Sequence, residues 1–341
     1  MTVAPKGRPR RLLLALSLLL ILAPLLAAGW FWHRAAVAPL AMQASPLRFT
    51  VPKGAGVRTI AAALRRDGVD VTPTGMWLWY KWRGLDGQLK AGTYEFTAPI
   101  TLDRLLAKIA SGDVLIVDIR FIEGWTFKQM RAAVDAHPDL THETRGLDEA
   151  ALLRRIGATE TQAEGLFFPD TYTFSPGLSD LELYKRAYRS LQQALDAAWQ
   201  SRQAGLPYRS AYDALIMASI IEKETGRPDE RDKVAAVFVN RLKRGMLLQS
   251  DPTTIYGLGA SFDGNLRKRD LQTHTEFNTY TRAGLPPTPI ALVGRASLQA
   301  AMQPADIPAL YFVARGDGSS EFSDDLASHN RAVWRYQRGG R

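Results

Sequence analysis

Residues 211–226 read AYDALIMASIIEKETG, an apolar run from Leu215 to Ile221 that ends in two glutamates, Glu222 and Glu224, one lysine apart. Ser210 is suited to cap a helix over Ala211–Thr225, which Gly226 stops and Pro228 keeps from continuing. A second helix is expected over Asp229–Arg244, ending at Gly245. Val234, Val237, Phe238 and Leu242 form its apolar stripe, and Asp229–Lys233 forms an i,i+4 ion pair. A carboxylate at the end of so apolar a helix is costly unless it is solvated or put to use. Side chains two residues apart diverge by about 200° around a helix, so the two glutamates cannot share one cleft. Glu224 continues the line Ala214, Met217, Ile221, whereas Glu222 continues Leu215 and Ala218, and periodicity leaves open which of them is used. The other is left to solvent, to capping or to pairing with Lys223 or Arg227.

Far upstream, Leu12–Trp32 (LLLALSLLLILAPLLAAGWFW) carries no charge. As a helix rising about 1.5 Å per residue it spans about 32 Å, enough to cross a bilayer core. Trp30 and Trp32 stand at its outer end, where interfacial aromatics are favoured. Lys6, Arg8, Arg10 and Arg11 precede it, which puts the N-terminus in the cytoplasm and the rest of the chain outside. A cleavable signal peptide is the rival reading, with Ala27-Ala28-Gly29 as its cleavage region, but its apolar core is normally shorter. A retained single-pass anchor in the inner (cytoplasmic) membrane is expected.

The 341 residues carry a formal charge of +9, but four of those charges precede the span and no helix gathers basic residues on one face. A dedicated nucleic-acid surface is therefore not expected. The absence of cysteine excludes disulfides and thiolate metal sites. The five histidines lack metal-ligand spacing, and neither a GxSxG elbow nor a Walker A loop is present. No cofactor is expected.

Behind a linker, Leu47–Asp70 reads strand, turn and amphipathic helix (Val57–Arg66), and is similar to the opening of a LysM peptidoglycan-binding module. A strand at Ala91–Phe96, a helix at Leu102–Ala110 and a strand at Asp113–Ile122 complete a small α+β module. Helices follow at Phe127–His137, Asp148–Ile156 and Asp180–Ala204. Between them EGLFFPDTYTFSPG (164–177) reads as a loop whose aromatic and hydroxyl groups, with Asp170 and Tyr172, suit sugar binding.

Seven stretches in order resemble the YceG-like endolytic murein transglycosylases, the MltG family. They are EGWT (123–126), FPDTYTF (168–174), MASIIEKET (217–225), RDKVAAVFVNRL (231–242), LQSDPTTIYGLG (248–259), FNTYTRAGLPPTPI (277–290) and ASHN (327–330). The resemblance implies cleavage of the β-1,4 bond between N-acetylmuramic acid and N-acetylglucosamine within peptidoglycan strands. The muramic C6 hydroxyl attacks intramolecularly and leaves a 1,6-anhydro end. The resemblance also selects the glutamate, because lytic transglycosylases place the catalytic acid directly before a hydroxyl residue, here Glu224-Thr225. An apolar helix end raises a glutamate pKa, as the donor role requires. An internal nucleophile removes the need for the second carboxylate of ordinary glycosidases.

By the same resemblance Gln249, Asp251, Thr253, Tyr256, Asn278, Thr279 and Tyr280 are expected to line the glycan groove, and peptidoglycan synthases are implied partners in ending nascent strands. The chain departs from the family pattern at Thr288, where GLPPTPI replaces GLPPGPI, and at SSEF (319–322), where a histidine before the phenylalanine is missing. The expected fold class is α+β, with a cytoplasmic segment 1–11, a transmembrane anchor 12–32, a linker 33–45, a LysM-like module 46–120 and a mainly helical, lysozyme-like catalytic domain 121–335 with a small β element. The alternative from another class is a non-catalytic, membrane-anchored wall-binding or scaffold protein.

Overall fold

The computed structural model describes residues 8–339, so residues 1–7 of the expected cytoplasmic segment 1–11 lie outside the described residues. The chain divides into two compact units, the first ending at Val117 and the second beginning at Asp118.

In the first unit, α1 (Arg8–Trp32) is a 25-residue helix long and apolar enough to cross a bilayer, and the apolar stretch is not buried. A single π-type turn, His33–Val37, follows it. The remaining elements are β1 (Leu47–Val51), α2 (Val57–Arg66), α3 (Pro73–Trp82), β2 (Gly92–Phe96) and α4 (Leu102–Ser111). The two strands pair antiparallel, from Leu47 opposite Phe96 to Val51 opposite Gly92. Strand alternation turns Phe49, Val51, Tyr94 and Phe96 inward, onto Ile60 and Leu64 of α2, Met76 and Trp79 of α3, and Leu105, Leu106 and Ile109 of α4. The Tyr94 hydroxyl in this core donates to the Lys90 carbonyl at 2.8 Å. Pattern reading does not anticipate α3, because PTGMWLWYKW holds four aromatics, a glycine and little polar periodicity. Its start is nevertheless marked: Thr72 accepts from Gly75 N–H at 3.1 Å, and Pro73 takes the first helical position.

The second unit runs β3 (Val117–Arg120), α5 (Phe127–Ala136), β4 (Leu140–Thr141), α6 (Glu149–Ile156), β5 (Thr171–Phe174), β6 (Leu178–Ser179), α7 (Asp180–Gln200), α8 (Ala211–Glu224), α9 (Arg231–Lys243), α10 (Asp251–Leu258), α11 (Lys268–Gln272), α12 (Arg295–Met302), β7 (Tyr311–Ala314), β8 (Ser320–Ser323) and α13 (Leu326–Val333). The strand expected over Asp113–Ile122 contracts to β3. It joins β5, the TYTF of the segment that sequence alone reads as loop. A parallel pair β4–β6 and an antiparallel hairpin β7–β8 are the other small sheets. Because α9 begins at Arg231, Asp229 falls outside the helix and loses the expected i,i+4 geometry. It pairs with Arg227 at 2.8 Å instead of Lys233.

The centre of this unit is α8. Every residue from Asp213 to Ile221 is buried, and α7, α9, α10 and α12 pack around it. A helix apolar on all sides is a core helix, and its ends are where chemistry can be placed. The Ser219 hydroxyl, inside that core, donates to Ile216 O at 2.7 Å and accepts from Ile290 N–H at 3.0 Å, so the GLPPTPI loop is fastened to α8.

Candidate active site

α8 ends one residue earlier than expected. Glu224 is its last helical residue, and Thr225 is already extended (φ −139°, ψ 129°). The two glutamates part as helix geometry requires. Glu222 Oε2 accepts from Gly294 N–H at 3.0 Å, the residue that caps α12, so this carboxylate serves a helix N-terminus. A Cβ at Gly294 would fall 1.9 Å from Glu123 Oε1, which explains why the close approach uses glycine. Glu123 itself is raised from its usual range by burial and by the neighbouring Glu222 charge. EGWT therefore lies against the back of the last turn of α8. Lys223 Nζ donates to Gly124 O at 3.2 Å, and Gly124 N–H donates to Leu292 O at 2.9 Å.

Glu224 turns the other way. The Ser250 hydroxyl donates to its Oε1 at 2.6 Å, and Oε2 takes no hydrogen bond from the described residues. The carboxyl is half-buried by surface, because it borders an open cleft, yet protein atoms crowd most of its surroundings. Burial pushes its pKa up to about 7; the Ser250 bond opposes the rise, the Asp251 charge adds to it and Arg241 opposes it.

Ser250 occupies the position before α10 where a serine normally caps, yet it makes no capping bond. Its hydroxyl is committed to Glu224, and the residue is fully buried. The Ser250 N–H donates to Thr279 Oγ1 at 3.0 Å, its carbonyl accepts from the Thr253 hydroxyl at 2.7 Å, and the two threonine hydroxyls share a 2.8 Å bond. Gln249, directly before it, has φ +54°, the only positive φ at a non-glycine among the described residues. Thr288 consequently sits in ordinary backbone despite replacing a glycine, and its hydroxyl donates to Pro289 O at 2.8 Å.

A cleft of about 360 Å³ opens at Glu224, with Arg241, Gln249, Asp251, Tyr280 and His329 on its walls. The Tyr280 hydroxyl donates to Asp251 Oδ1 at 2.6 Å. Arg241 donates to Leu310 O at 2.7 Å, Leu248 O at 2.8 Å and Gln249 Oε1 at 3.3 Å, and lies over the Tyr311 ring. His329, from ASHN, stacks on Tyr311 and is lowered from its usual range by burial and by Arg241.

Of the expected groove residues, Gln249, Asp251 and Tyr280 border this cleft. Thr253, Asn278 and Thr279 are buried instead, and their polar groups bond internally. Asn278 donates to Thr273 O at 2.6 Å and accepts from Tyr280 N–H at 2.9 Å. Asp170 and Tyr172 line neither this cleft nor the next. Asp170 accepts from Thr171 N–H at 2.7 Å, and the Tyr172 hydroxyl, pushed up to about 12 by burial, donates to Phe168 O at 2.8 Å. Sequence reasoning passes over Ser250, Arg241 and His329. All three stand in stretches that match the family, and Ser250 carries a local signal besides, because Ser-Asp-Pro reads as a helix start.

A second cleft, of about 730 Å³, includes Tyr256 together with Lys223 and Pro252, the neighbours in sequence of the first cleft's Glu224 and Asp251. Glu164 lies in it, buried and pushed up to about 7 chiefly by that burial. Both its oxygens are occupied. Oε1 accepts from Phe127 N–H at 2.9 Å and Oε2 from the Tyr256 hydroxyl at 3.1 Å.

Residues 49–335 match the YceG-like family. The chain is 31% identical over 307 residues to an endolytic murein transglycosylase of Bacillus subtilis, covering 85% of this chain and 84% of that one. It is 23% identical to the endolytic murein transglycosylase of Streptococcus pneumoniae D39, where it covers 93% of its own length but spans 64% of that protein. Its fold is similar to the crystal structure of a yceG-like protein of Listeria monocytogenes, with a TM-score of 0.52 and 27% identity over 84% of this chain and 98% of the other. With the match extending from β1 to beyond α13, the chain belongs to the YceG-like family.

Proposed function

We propose that this protein is an endolytic peptidoglycan transglycosylase in which Glu224 is the general acid and then the general base. The observation that carries the assignment is the state of that carboxyl: protonated up to about 7, held through one oxygen by Ser250, and open at the other beside a cleft. In the reaction Glu224 gives its proton to the glycosidic oxygen as the C1–O4 bond breaks. The carboxylate then takes the proton of the muramic C6 hydroxyl as that oxygen bonds to C1. The proton returns to Glu224 and no water is consumed, so a single carboxyl completes the cycle.

Gln249, Asp251 and Tyr280 supply polar contacts beside the bond, and the second cleft with Tyr256 takes the strand further along. Thr253, Asn278 and Thr279 hold the loop that delivers Ser250, while Asp170 and Tyr172 brace the β3–β5 pair. α1 anchors the protein in the cytoplasmic membrane, with the basic residues before it on the cytoplasmic side and the second unit outside. The first unit serves as a LysM-like module, and nascent strands leaving a peptidoglycan synthase are the substrate the anchor favours.

Mass spectrometry of muropeptides after digestion by the purified full-length protein tests the proposal. Anhydro-ended fragments, lost in Glu224→Gln, are expected. Ordinary reducing ends would mark a hydrolase, and anhydro release at an unchanged rate in Glu224→Gln would remove Glu224 from the reaction.

A further inference from the structure

The first unit exposes apolar side chains where its core gives no reason to. Among the described residues outside α1, its exposed large hydrophobics are Val37, Leu78, Trp82 and Ile116. Three of these four gather near the end of α1. Leu78 is 46% and Trp82 58% exposed on α3, beside Trp30 at 68% and Trp32 at 48% on α1. Ring contacts tie the two helices together. The Trp32 centroid lies 5.4 Å from that of Trp79 and 4.9 Å from that of Trp82, and Phe31 lies 5.9 Å from Trp79. Trp30 and Leu78 also border one crevice of about 330 Å³.

We infer that α3 lies in the outer membrane–water interface, with Leu78 and Trp82 joining Trp30 and Trp32 in a collar that seats the first unit on the lipid. The inference rests on the reading of α1 as a membrane span. If α1 crosses the bilayer, its last turn marks the interface, and side chains packed against that turn share its depth. Tryptophan is suited to that depth, where an apolar ring body and an N–H tip meet a graded boundary. A cluster of exposed apolar groups continuous with a span has the bilayer as its neighbour, which accounts for a surface that water alone disfavours.

Charges beside the patch are engaged within the unit: Arg34 pairs with Asp70, Lys81 with Asp86 at 2.7 Å and Arg83 with Asp103 at 2.8 Å, and Arg58 lies 4.6 Å over the Trp77 ring. Seating is therefore apolar, and it does not need anionic headgroups. The module then rests on the leaflet as a platform and does not swing on a free tether after Trp32.

The chain lacks cysteine, so single cysteines can be introduced into the full-length protein without background. Leu78→Cys, Trp82→Cys and the mid-span Leu20→Cys are spin-labelled and reconstituted in phosphatidylcholine vesicles. Collision with oxygen and with a water-soluble nickel chelate reads the depth of each label. The expected result is a deep label at position 20 and interfacial labels at 78 and 82, unchanged when phosphatidylglycerol is added. A deep label at 20 with water-like labels at 78 and 82 overturns the collar while leaving the span intact. That outcome would assign the patch to a protein partner. Interfacial labels that appear only with phosphatidylglycerol overturn the apolar seating. A water-like label at 20 removes the span, and the collar falls with it.

Discussion

Glu224 and Glu164 lie in two clefts of the same unit, and burial pushes both up to about 7. Their protons are equally held; their lone pairs are not equally free. Glu164 has an N–H on one oxygen and a tyrosine hydroxyl on the other, whereas Glu224 has a single hydroxyl on Oε1. A raised pKa reports the removal of water, which a structural carboxyl and a catalytic one experience alike. Donating to a glycosidic oxygen needs, in addition, a carboxyl oxygen with nothing else to bond. On that criterion Glu164 braces the start of α5 against α10, and Glu224 is the carboxyl we propose as the acid.

The largest effect that separates the two is on turnover. Glu224→Gln should lower anhydro-product release by about a thousandfold or more, the loss of general acid and base together. Glu164→Gln should stay within about tenfold of the parent, because an amide still accepts from Phe127 N–H and still meets Tyr256. Circular dichroism and melting of both variants establish that folding is retained. A dead Glu164→Gln enzyme beside an active Glu224→Gln enzyme would reverse the assignment.

The next effect is on pH. Because the proposed cycle starts from protonated Glu224, turnover should fall as pH rises through about 7. The Ser250 hydroxyl favours the charged carboxylate, so Ser250→Ala should move that fall upward by about one pH unit. Glu164→Gln should leave the fall where it is. Rates of anhydro-muropeptide release across pH distinguish the three proteins. An unshifted limb in Ser250→Ala would mean that another group controls it.

These contrasts were unevenly legible in the sequence. α8 is readable from Ser210, its apolar run and Gly226, and helix geometry alone separates Glu222 from Glu224. Which of the two acts is not in the periodicity, because α8 is buried on every side and either line of neighbours leads into the core. The family resemblance supplied Glu224. The partner that holds it, Ser250, lies 26 residues on and reaches it only through tertiary packing. Thr253, Asn278 and Thr279 are expected in the groove because they stand in stretches that match the family's motifs. Only the structure shows them buried, with Thr253 and Thr279 sharing a hydrogen bond and Asn278 bonded to Thr273 O and Tyr280 N–H. TYTF reads as loop in the sequence because four residues are too few for alternation to outweigh the turn residues around them. Its partner β3 is more than fifty residues upstream.

A smaller effect concerns stability. A carboxyl raised in the folded state stays protonated there while the unfolded chain ionises. Stability is therefore full below about 4.5 and falls as pH rises to about 7. Each buried glutamate should cost on the order of 3 kcal/mol by the top of that window. Glu164→Gln should accordingly melt over a narrower temperature range than the parent between about pH 5 and about pH 8, and Glu224→Gln should do likewise. Equal flattening by the two variants, with unequal activity, is the outcome that holds the comparison together. A Glu164→Gln protein as pH-sensitive as the parent would show that Glu164 is not titrating in that window.

The smallest effect is at Gln249, which has no counterpart at Glu164. Its φ of +54° is a conformation in which a side chain costs about 1 kcal/mol, placed one residue before the serine that holds Glu224. Glycine tolerates that backbone but gives up the 3.3 Å contact with Arg241 and gains unfolded-state freedom. These terms oppose each other, so Gln249→Gly should change unfolding free energy by less than about 1 kcal/mol, whereas the β-branched Gln249→Val should lose about 2 kcal/mol. Turnover separates the two ways the position can matter. If the strained turn aims Ser250, the glycine variant keeps the pH limb of the parent and the valine variant shifts it upward toward that of Ser250→Ala. If only the side chain matters, through a glycan contact, both variants raise KM and neither moves the limb. The buried hydrogen bonds around Ser250 favour the first outcome, because they fix the backbone on both sides of the hydroxyl that reaches Glu224.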